Sequence, residues 1–229
     1  MEIKAASGEI TRIDTGAIIV SQFEGEKAPE GATDATDKKL GGAIAEMIKQ
    51  GDIKGKLNEI TLIHSLGKLP AGRVCIIGLG KKKELTINKM SGAFAEALRY
   101  LRGKNVSAIA SIILGDGVNS IKTEDAVTAM AEGAILGLYT FKQYVTKKEN
   151  GNGEIKTVTI TGENKSLIEK AIQRGKIVGE AVNWERNMVN EPSNHLTPTD
   201  MAEAAKKMAR QLDLKIEVFD KDKIKELLL

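Results

Sequence analysis

The side chains most able to bind a metal or attack a substrate are few in this chain. Its 229 residues include two histidines, His64 and His195, and one cysteine, Cys75. Neither histidine stands in an H-E-x-x-H pattern or a cysteine-rich ligand spacing, so these metal sites are not indicated. Cys75 lies within the apolar run RVCIIG, where a thiol packs as a small apolar side chain. We therefore expect structural or solvated roles for all three residues.

Two glycine-containing turns could hold a ligand. GLGKKK, at 78–83, suggests a backbone cradle for phosphate, and GDG, at 115–117, follows a predicted strand. The first lacks the G-K-[ST] ending of a P-loop, and it has two glycines where a dinucleotide fingerprint needs three. We interpret GLGKKK as a surface turn followed by solvated lysines, with an anion site as the alternative. A simple turn is also favoured for GDG.

The most tightly specified stretch is NMVNEPSNHLTPTDMAEAA, at 187–205. Thr197 precedes Pro198, a preferred first helical residue, and Asp200 follows three residues after Thr197, which is the spacing of a capping box. Pro192 disfavours helix at the residue before it and ends the preceding helix. Turn and cap chemistry thus accounts for an ordered connection between two helices without invoking catalysis.

The elements that position these residues are predicted from apolar periodicity. Short apolar runs rich in β-branched residues predict strands at 16–20, 60–66, 73–80, 106–114 and 154–162, and a further short strand, KIEVF, at 215–219. Helical spacing of apolar residues predicts helices at 34–52, 86–102, 123–138, 166–189 and 197–212, and a helical start from 220. Thr123 is predicted to cap its helix, and NGNG, at 150–153, is predicted to be a loop.

Strands that alternate with helices indicate an α/β fold with a mainly parallel or mixed sheet. After Gly162 the pattern changes, because the long helix at 166–189 is followed by no buried strand and therefore resembles a connector between domains. Trp184 on this helix is interpreted as a packing anchor against another domain or subunit rather than a base-stacking platform.

Composition excludes several classes of protein. The chain is 41% hydrophobic and 28% charged, as in ordinary globular proteins, and it has no apolar run near the ~20 residues that span a bilayer. Lys and Arg number 34 against 31 Asp and Glu, a net charge of +3, so the charge does not indicate a nucleic-acid partner and we expect none. The amino terminus lacks the apolar core of a secretory signal, and one cysteine gives no intrachain disulfide framework. We expect a cytoplasmic protein.

The junction resembles the string that opens the catalytic domain of the leucyl aminopeptidase (cytosol aminopeptidase, aminopeptidase A) family. This chain supplies the junction residues of that pattern, to which we assign a structural role: Asn187, Asn190, Pro192, Asn194, Leu196, Thr197 and Pro198. Three further stretches are similar to the family in the same order, LGGAIAEMIKQGDIKGKLNEITLIHSLG, GRVCIIGLGKKKELT and AEGAILGLYTFKQYVTKK.

The resemblance implies a macro-like amino-terminal α/β domain with a mixed sheet at 1–162, a connector helix at 163–190, and an incomplete start of the aminopeptidase catalytic domain at 191–229. Enzymes of this family release amino-terminal residues, leucine among the preferred ones, by hydrolysis at two divalent metals such as Zn²⁺, Mn²⁺ or Mg²⁺. The family's metal ligands lie in motifs that follow the stretch present here, so we expect a truncated chain with no catalytic residue, no metal ligand and no bound cofactor.

The expected role is therefore structural, in assembly of a peptide-cleaving enzyme that forms homohexamers in this family. The chain would associate with itself or with a catalytic-domain partner, and an active enzyme made of two separate chains is one alternative. Another is a macro-like module that binds nucleic acid or a small ligand. No membrane partner is expected.

Overall fold

A computed structural model describes residues 1–146 and 153–227 of the chain. Strands and helices alternate along most of it. The strands are β1 (Glu2–Ala6), β2 (Ala17–Gln22), β3 (Ile60–His64), β4 (Arg73–Gly78), β5 (Ala108–Ile112) and β6 (Thr157–Thr161). The α-helices are α1 (Gly31–Leu40), α2 (Ala43–Gln50), α3 (Ile87–Gly103), α4 (Thr123–Gly137), α5 (Lys165–Asn190), α6 (Pro198–Gln211) and α7 (Lys221–Glu226).

The strands form one mixed sheet in the order β1-β6-β5-β2-β4-β3. Neighbouring strands are parallel except β3, which runs antiparallel to β4 at one edge. The predicted α/β fold with a mixed sheet is confirmed. Sequence patterns did not predict β1, which forms the other edge of the sheet and pairs along its whole length with β6.

Helices cover both faces of the sheet. On β2, Ile18 and Val20 join a core cluster with Leu40 of α1 and Ile44 of α2. The alternate residue Ile19 joins the larger cluster on the other face, which is built with α3, α4 and the first part of α5. Because successive side chains of a strand point to opposite faces, one continuous apolar run fills two cores. The result is a three-layer α/β/α arrangement.

The single helix predicted at 34–52 is wrong, because α1 ends and α2 begins at a glycine pair within that stretch. Gly41 and Gly42 have φ values of 76° and 86°, in the left-handed region that breaks a right-handed helix. The buried carboxylate of Asp37 then accepts hydrogen bonds from the backbone N–H groups of Ile44, at 2.6 Å, and Ala45, at 3.3 Å. A residue of α1 therefore caps α2 across the turn.

The first part of α5 packs closely on α4. Gly175 and Gly179 of α5 are buried, and a Cβ at Gly175 would lie 2.3 Å from the backbone oxygen of Thr128 in α4. An exposed ion pair, Arg174 Nη1 to Glu124 Oε1 at 2.7 Å, joins the same two helices. The absence of side chains at two successive turns of α5 is what permits this close approach.

The chain divides into two compact units, residues 1–183 and 184–229, and the division falls inside α5. The first unit contains the sheet and helices α1 to α4. The described part of the second unit contains α6 and α7. The strand predicted at 215–219 is wrong, because no described residue pairs with this segment and a strand needs a neighbour for its backbone N–H and C=O groups. The predicted NGNG loop lies outside the described residues except for Gly153.

Candidate functional site

The junction begins α6 with the predicted capping box. The Thr197 side-chain oxygen accepts a hydrogen bond from the backbone N–H of Asp200, at 3.4 Å, and Asp200 Oδ2 accepts one from the backbone N–H of Thr197, at 3.0 Å. Pro198 is the first helical residue. The Thr197 hydroxyl and the Thr197 backbone N–H both donate to Asp200 Oδ2, and these bonds hold the pKa of the Asp200 carboxyl below its usual value. The cap thus satisfies backbone N–H groups that the first helical turn leaves without partners.

The turn before α6 is ordered by its own backbone. The N–H groups of His195 and Leu196 both donate to the carbonyl of Pro192, at 2.8 and 3.0 Å. The Asn190 side chain donates to the carbonyl of Arg186, one turn back in α5, at 2.7 Å. The remaining residues of the pattern, Asn187 and Asn194, are exposed on the same unit. Local caps and turns thus account for the order of the junction, and they carry no information about a catalytic role.

The second unit exposes many large apolar side chains. Ala209 is the only buried residue among its described positions. The exposed large side chains have relative exposures from 39% to 78%, and they are Trp184, Val189, Met201, Leu212, Leu214, Ile216, Val218, Phe219, Ile224 and Leu227. Large apolar side chains that are exposed in one part of a protein are typical of a surface that contacts a partner. This unit therefore lacks a buried core of its own and presents apolar groups suited to a partner.

In the first unit, a cleft of about 680 Å³ opens at the carboxyl ends of the parallel strands. Gly8 follows β1, Phe23 follows β2, Ile113 follows β5 and Gly162 follows β6, and all four residues line it. Residues at the amino-terminal ends of three helices also contribute, Gly31 of α1, Thr123 of α4 and Asn164 just before α5. We name this feature the switch-point cleft.

The name follows from the sheet topology. From β2 the chain passes to β3 and β4 on one side, whereas from β5 it passes through α4 to β6 on the other. Because β2 and β5 are neighbours, their outgoing loops diverge and leave a crevice between them. Open α/β sheets bind ligands in such crevices, outside the carboxyl ends of their strands.

The charged lining of the switch-point cleft is mostly acidic. Among the described residues that line it, the carboxylates are Glu9, Glu26, Glu30, Asp116 and Glu163, and the single cation is Lys82. The ammonium of Lys82 lies 3.2 Å from Glu26 Oε1 and 3.2 Å from Glu30 Oε2. It also lies 5.4 Å from the centroid of the Phe23 ring. The hydrogen bonds that the Lys82 ammonium donates to Glu26 and Glu30 raise the pKa of Lys82.

The glycines of GLGKKK allow a neighbouring backbone segment, at residues 55–56, to pack against them. Gly78 is buried at the end of β4, and a Cβ there would lie 1.9 Å from the carbonyl oxygen of Lys56. The N–H of Gly80 donates to the carbonyl of Gly55 at 2.9 Å. The interpretation of GLG as a surface turn is therefore wrong, because a neighbouring backbone segment crosses these glycines. In the GDG turn, Gly115 and Asp116 line the switch-point cleft.

The residues with metal-binding or nucleophilic side chains are not brought together. His64 ends the edge strand β3 and is exposed, and His195 lies in the second unit. Cys75 is fully buried in β4, and burial raises the pKa of its thiol to about 12. Among residues 1–146 and 153–227, no group of three or more His, Cys, Asp or Glu side chains is arranged to hold a metal ion.

Comparison with known proteins decides the family. The model for the amino-terminal domain of the cytosol aminopeptidase family matches residues 19–148. The chain belongs to the cytosol aminopeptidase family. The matched range covers β2 to α4 and therefore most of the sheet that carries the switch-point cleft. The family predicted from the junction and the three other stretches is confirmed.

Curated cytosol aminopeptidases match nearly the whole chain. A probable cytosol aminopeptidase of Alkaliphilus oremlandii is 34% identical over 233 residues, which are 99% of this chain and 46% of the relative. One from Aquifex aeolicus is 34% identical over 227 residues, or 99% of this chain and 44% of that protein. The chain therefore spans about half the length of the curated aminopeptidases that it matches.

Solved structures support the same fold. A tomato leucine aminopeptidase mutant has a TM-score of 0.82 and 21% identity, and the match covers 100% of this chain and 46% of that one. The bottromycin maturation enzyme BotP in complex with Mn has a TM-score of 0.70 and 21% identity over 93% of this chain and 40% of that one. Within the described part of this cytosol aminopeptidase family member, no helix is long and apolar enough to cross a bilayer.

Proposed function

We propose that this chain is the amino-terminal, non-catalytic portion of a leucyl aminopeptidase-type metallopeptidase and that its role is architectural. The observation that carries the proposal is the coverage of the relatives, since 99% of this chain aligns with less than half of proteins called probable cytosol aminopeptidases. The parent enzyme would release amino-terminal residues, preferably leucine, from peptides. Its chemistry would use two divalent metals, Zn²⁺, Mn²⁺ or Mg²⁺, to activate water and polarise the scissile carbonyl.

The residues described here do not fit such a metal centre. A two-metal site needs several carboxylate, histidine or similar ligands close together around the two ions. The histidines are separate, the thiol of Cys75 is buried, and no three potential ligands of the described chain converge. We therefore assign no catalytic step to any residue of this chain and expect the ligands in the part of the relatives that it does not span.

The architectural role rests on the second unit. We propose the organisation expected from the sequence, a macro-like domain at 1–162, a connector helix at 163–190 and the start of the catalytic domain at 191–229. The junction residues Asn187, Asn190, Pro192, Asn194, Leu196, Thr197 and Pro198 would then fix how the chain enters the catalytic domain. The apolar side chains exposed at 184–227 would pack on that domain, which would bury them.

We also propose that the assembled parent enzyme is a cytoplasmic homohexamer. The name of the curated relatives, cytosol aminopeptidase, supports the compartment. The exposed apolar surface of the second unit supports association, either of this chain with itself or with a catalytic-domain partner. The balanced charge of +3 gives no support to a nucleic-acid partner.

A chimera tests the architectural role. The amino-terminal 46% of the Alkaliphilus oremlandii relative, the share that aligns with this chain, would be replaced by this chain. Hydrolysis of a leucine chromogenic amide would then be measured with Mn²⁺ or Zn²⁺. We expect chelator-sensitive activity and a higher oligomer, because the graft supplies the same fold and junction.

Paired variants make the test specific. In the chimera, Trp184→Ser and Val189→Ser remove two exposed apolar groups of the second unit, and we expect lower activity and a smaller assembly. The matched control is Leu66→Ser, whose side chain is 87% exposed in the first unit, and it should have no effect. Full activity and assembly of the double variant would argue against docking through this surface.

A further inference from the structure

The two edges of the sheet differ in how they are protected against pairing with another strand. The edge strand β1 has the charged residues Glu2 and Lys4 at exposed positions. The opposite edge strand, β3, has the sequence ITLIH, which contains no lysine, no carboxylate and no proline. Charged residues and prolines are common means by which an edge strand avoids adding a further strand. The β3 edge therefore lacks the protection that β1 has.

The ladder between β3 and β4 shows which backbone groups of β3 face away from the sheet. The N–H of Ser65 donates to the carbonyl of Gly72 at 3.1 Å, and the N–H of Gly78 donates to the carbonyl of Glu59 at 2.8 Å. In an antiparallel ladder, hydrogen-bonded pairs alternate with pairs that are not bonded to each other. Positions 61 and 63 therefore also bond to β4, and positions 60, 62 and 64 direct their N–H and C=O groups outward.

The outward groups belong to Ile60, Leu62 and His64. Within residues 1–146 and 153–227, β3 pairs with β4 alone, and no other backbone group bonds to these three residues. The side chains of Ile60, Leu62 and Ile63 are partly buried and pack against the two cores of the sheet. The edge is thus held in an extended form by packing, and its free backbone groups are suited to the addition of a strand.

The β3 strand is complementary to itself. A two-fold axis through Leu62 places β3 of a second copy antiparallel to β3 of the first, with Leu62 opposite Leu62 and Ile60 opposite His64. Every outward N–H then meets an outward C=O, whereas a slip of one residue would set these groups against inward-facing ones. Because ITLIH contains no Asp, Glu, Lys or Arg, the axis brings no like charges of those residues opposite each other.

We propose that the β3 edge is an interface between two copies of this chain, which pair antiparallel about Leu62. The two six-stranded sheets would then form one continuous sheet across a two-fold axis. This contact is distinct from the apolar surface of the second unit, because β3 lies in the first unit. It is also independent of the proposed role in an aminopeptidase.

Disulfide trapping on the full chain tests the register. In the proposed pair the two Leu62 Cα atoms lie about 5.5 Å apart, which is within the range that a disulfide spans. The two His64 Cα atoms are offset by four residues and lie about 14 Å apart, as do the two Ile60 Cα atoms, and a disulfide cannot span that distance. The native thiol of Cys75 is fully buried and is the same in every variant.

Mild oxidation should therefore link Leu62→Cys into a dimer, whereas Ile60→Cys and His64→Cys, each oxidised alone, should stay unlinked. A mixture of Ile60→Cys and His64→Cys should link, because these two positions face each other across the axis. Equal linking of every single variant would indicate random collision or association through the second unit, and it would overturn the proposal. The absence of a link both in Leu62→Cys and in the mixture would also overturn it, and would be expected if β3 pairs with a different protein.

A proline tests the hydrogen bonds without removing a packed side chain. His64 is exposed and its N–H faces outward, so His64→Pro leaves the bonds to β4 in place. The matched control, His64→Ala, loses the same side chain but keeps the N–H. By sedimentation equilibrium, we expect His64→Pro to have a dimer dissociation constant about thirtyfold above that of His64→Ala, equivalent to about 2 kcal/mol for two lost backbone hydrogen bonds.

Equal dissociation constants for the two His64 variants would overturn the proposal. Both variants keep the second unit unchanged, so association through that unit cannot produce a difference between them. The chimera with the Alkaliphilus oremlandii relative tests the second unit instead, and its outcome is therefore separate from this one.

Discussion

Replacing Gly175 by alanine tests the packing that positions α5. A Cβ at this residue would lie 2.3 Å from Thr128 O, 2.8 Å from Ala131 Cβ and 3.0 Å from Glu132 N. Two of these atoms belong to the α4 backbone and cannot rotate aside, so α5 must move away from α4. We therefore expect overpacking to lower the free energy of unfolding.

The matched control is Gly92→Ala in α3. Gly92 is exposed, and a Cβ there would have no atom within 4 Å. Alanine favours a helix interior over glycine by about 1 kcal/mol, so the control should gain stability of that order. The same gain applies at Gly175 and cancels when the two variants are compared. What remains is the overpacking cost, about 1–3 kcal/mol.

The assay is unfolding followed by circular dichroism, in urea and by heating. A difference of 1 kcal/mol moves the melting temperature of a chain of this size by about 2–4 °C. Gly175→Ala should therefore melt below Gly92→Ala by a readily measured margin. If the two variants were equally stable, the close approach of α5 to α4 would be wrong, and with it the placement of Leu167 and Ile168 in the cleft.

Three other predictions concern separate parts of the chain. Burial raises the pKa of the Cys75 thiol from 9.0 to about 12 in the folded chain. Between those two pH values the free energy of unfolding should therefore fall with pH more steeply than in Cys75→Ala, by about 1.4 kcal/mol per pH unit. Equal slopes for the two proteins would contradict this prediction. Thr197→Ala removes half of the capping box, which should destabilise α6 by about 1 kcal/mol and speed its amide hydrogen exchange. Unchanged exchange would show that the cap is dispensable. The exposed apolar groups of the second unit should cause concentration-dependent self-association and binding of a hydrophobic dye, and a compact, dye-silent monomer would rule this out.

Local patterns predicted most of the fold. Apolar runs located β2 to β6, and helical periodicity located α3 to α6, because each of these elements buries one side in a core. β1 was missed because its short sequence, EIKAA, has a single β-branched residue, Ile3, and the strand gains its place through pairing with β6. The glycine pair at 41–42 was missed because helical apolar spacing continues across it, and only backbone conformation separates the two helices.

Errors arose where stability depends on distant partners. The apolar alternation of KIEVF, at 215–219, favours a strand, but no described residue supplies a neighbouring strand. Thr123 was predicted to cap α4, yet its hydroxyl donates to Asp116 in the turn before the helix, and Lys122 occupies the cap position. The cleft itself could not be predicted, since it depends on the order of strands in the sheet, which brings loops distant in sequence to one edge.

The central claim is that this chain is the non-catalytic portion of a cytosol aminopeptidase. It is tested most directly by hydrolysis of a leucine chromogenic amide by the purified chain, with Mn²⁺ and Zn²⁺ supplied and a chelator as control. The account predicts no chelator-sensitive hydrolysis. Robust, chelator-sensitive activity that copurifies with the 229-residue species would contradict it and would require metal ligands within this chain.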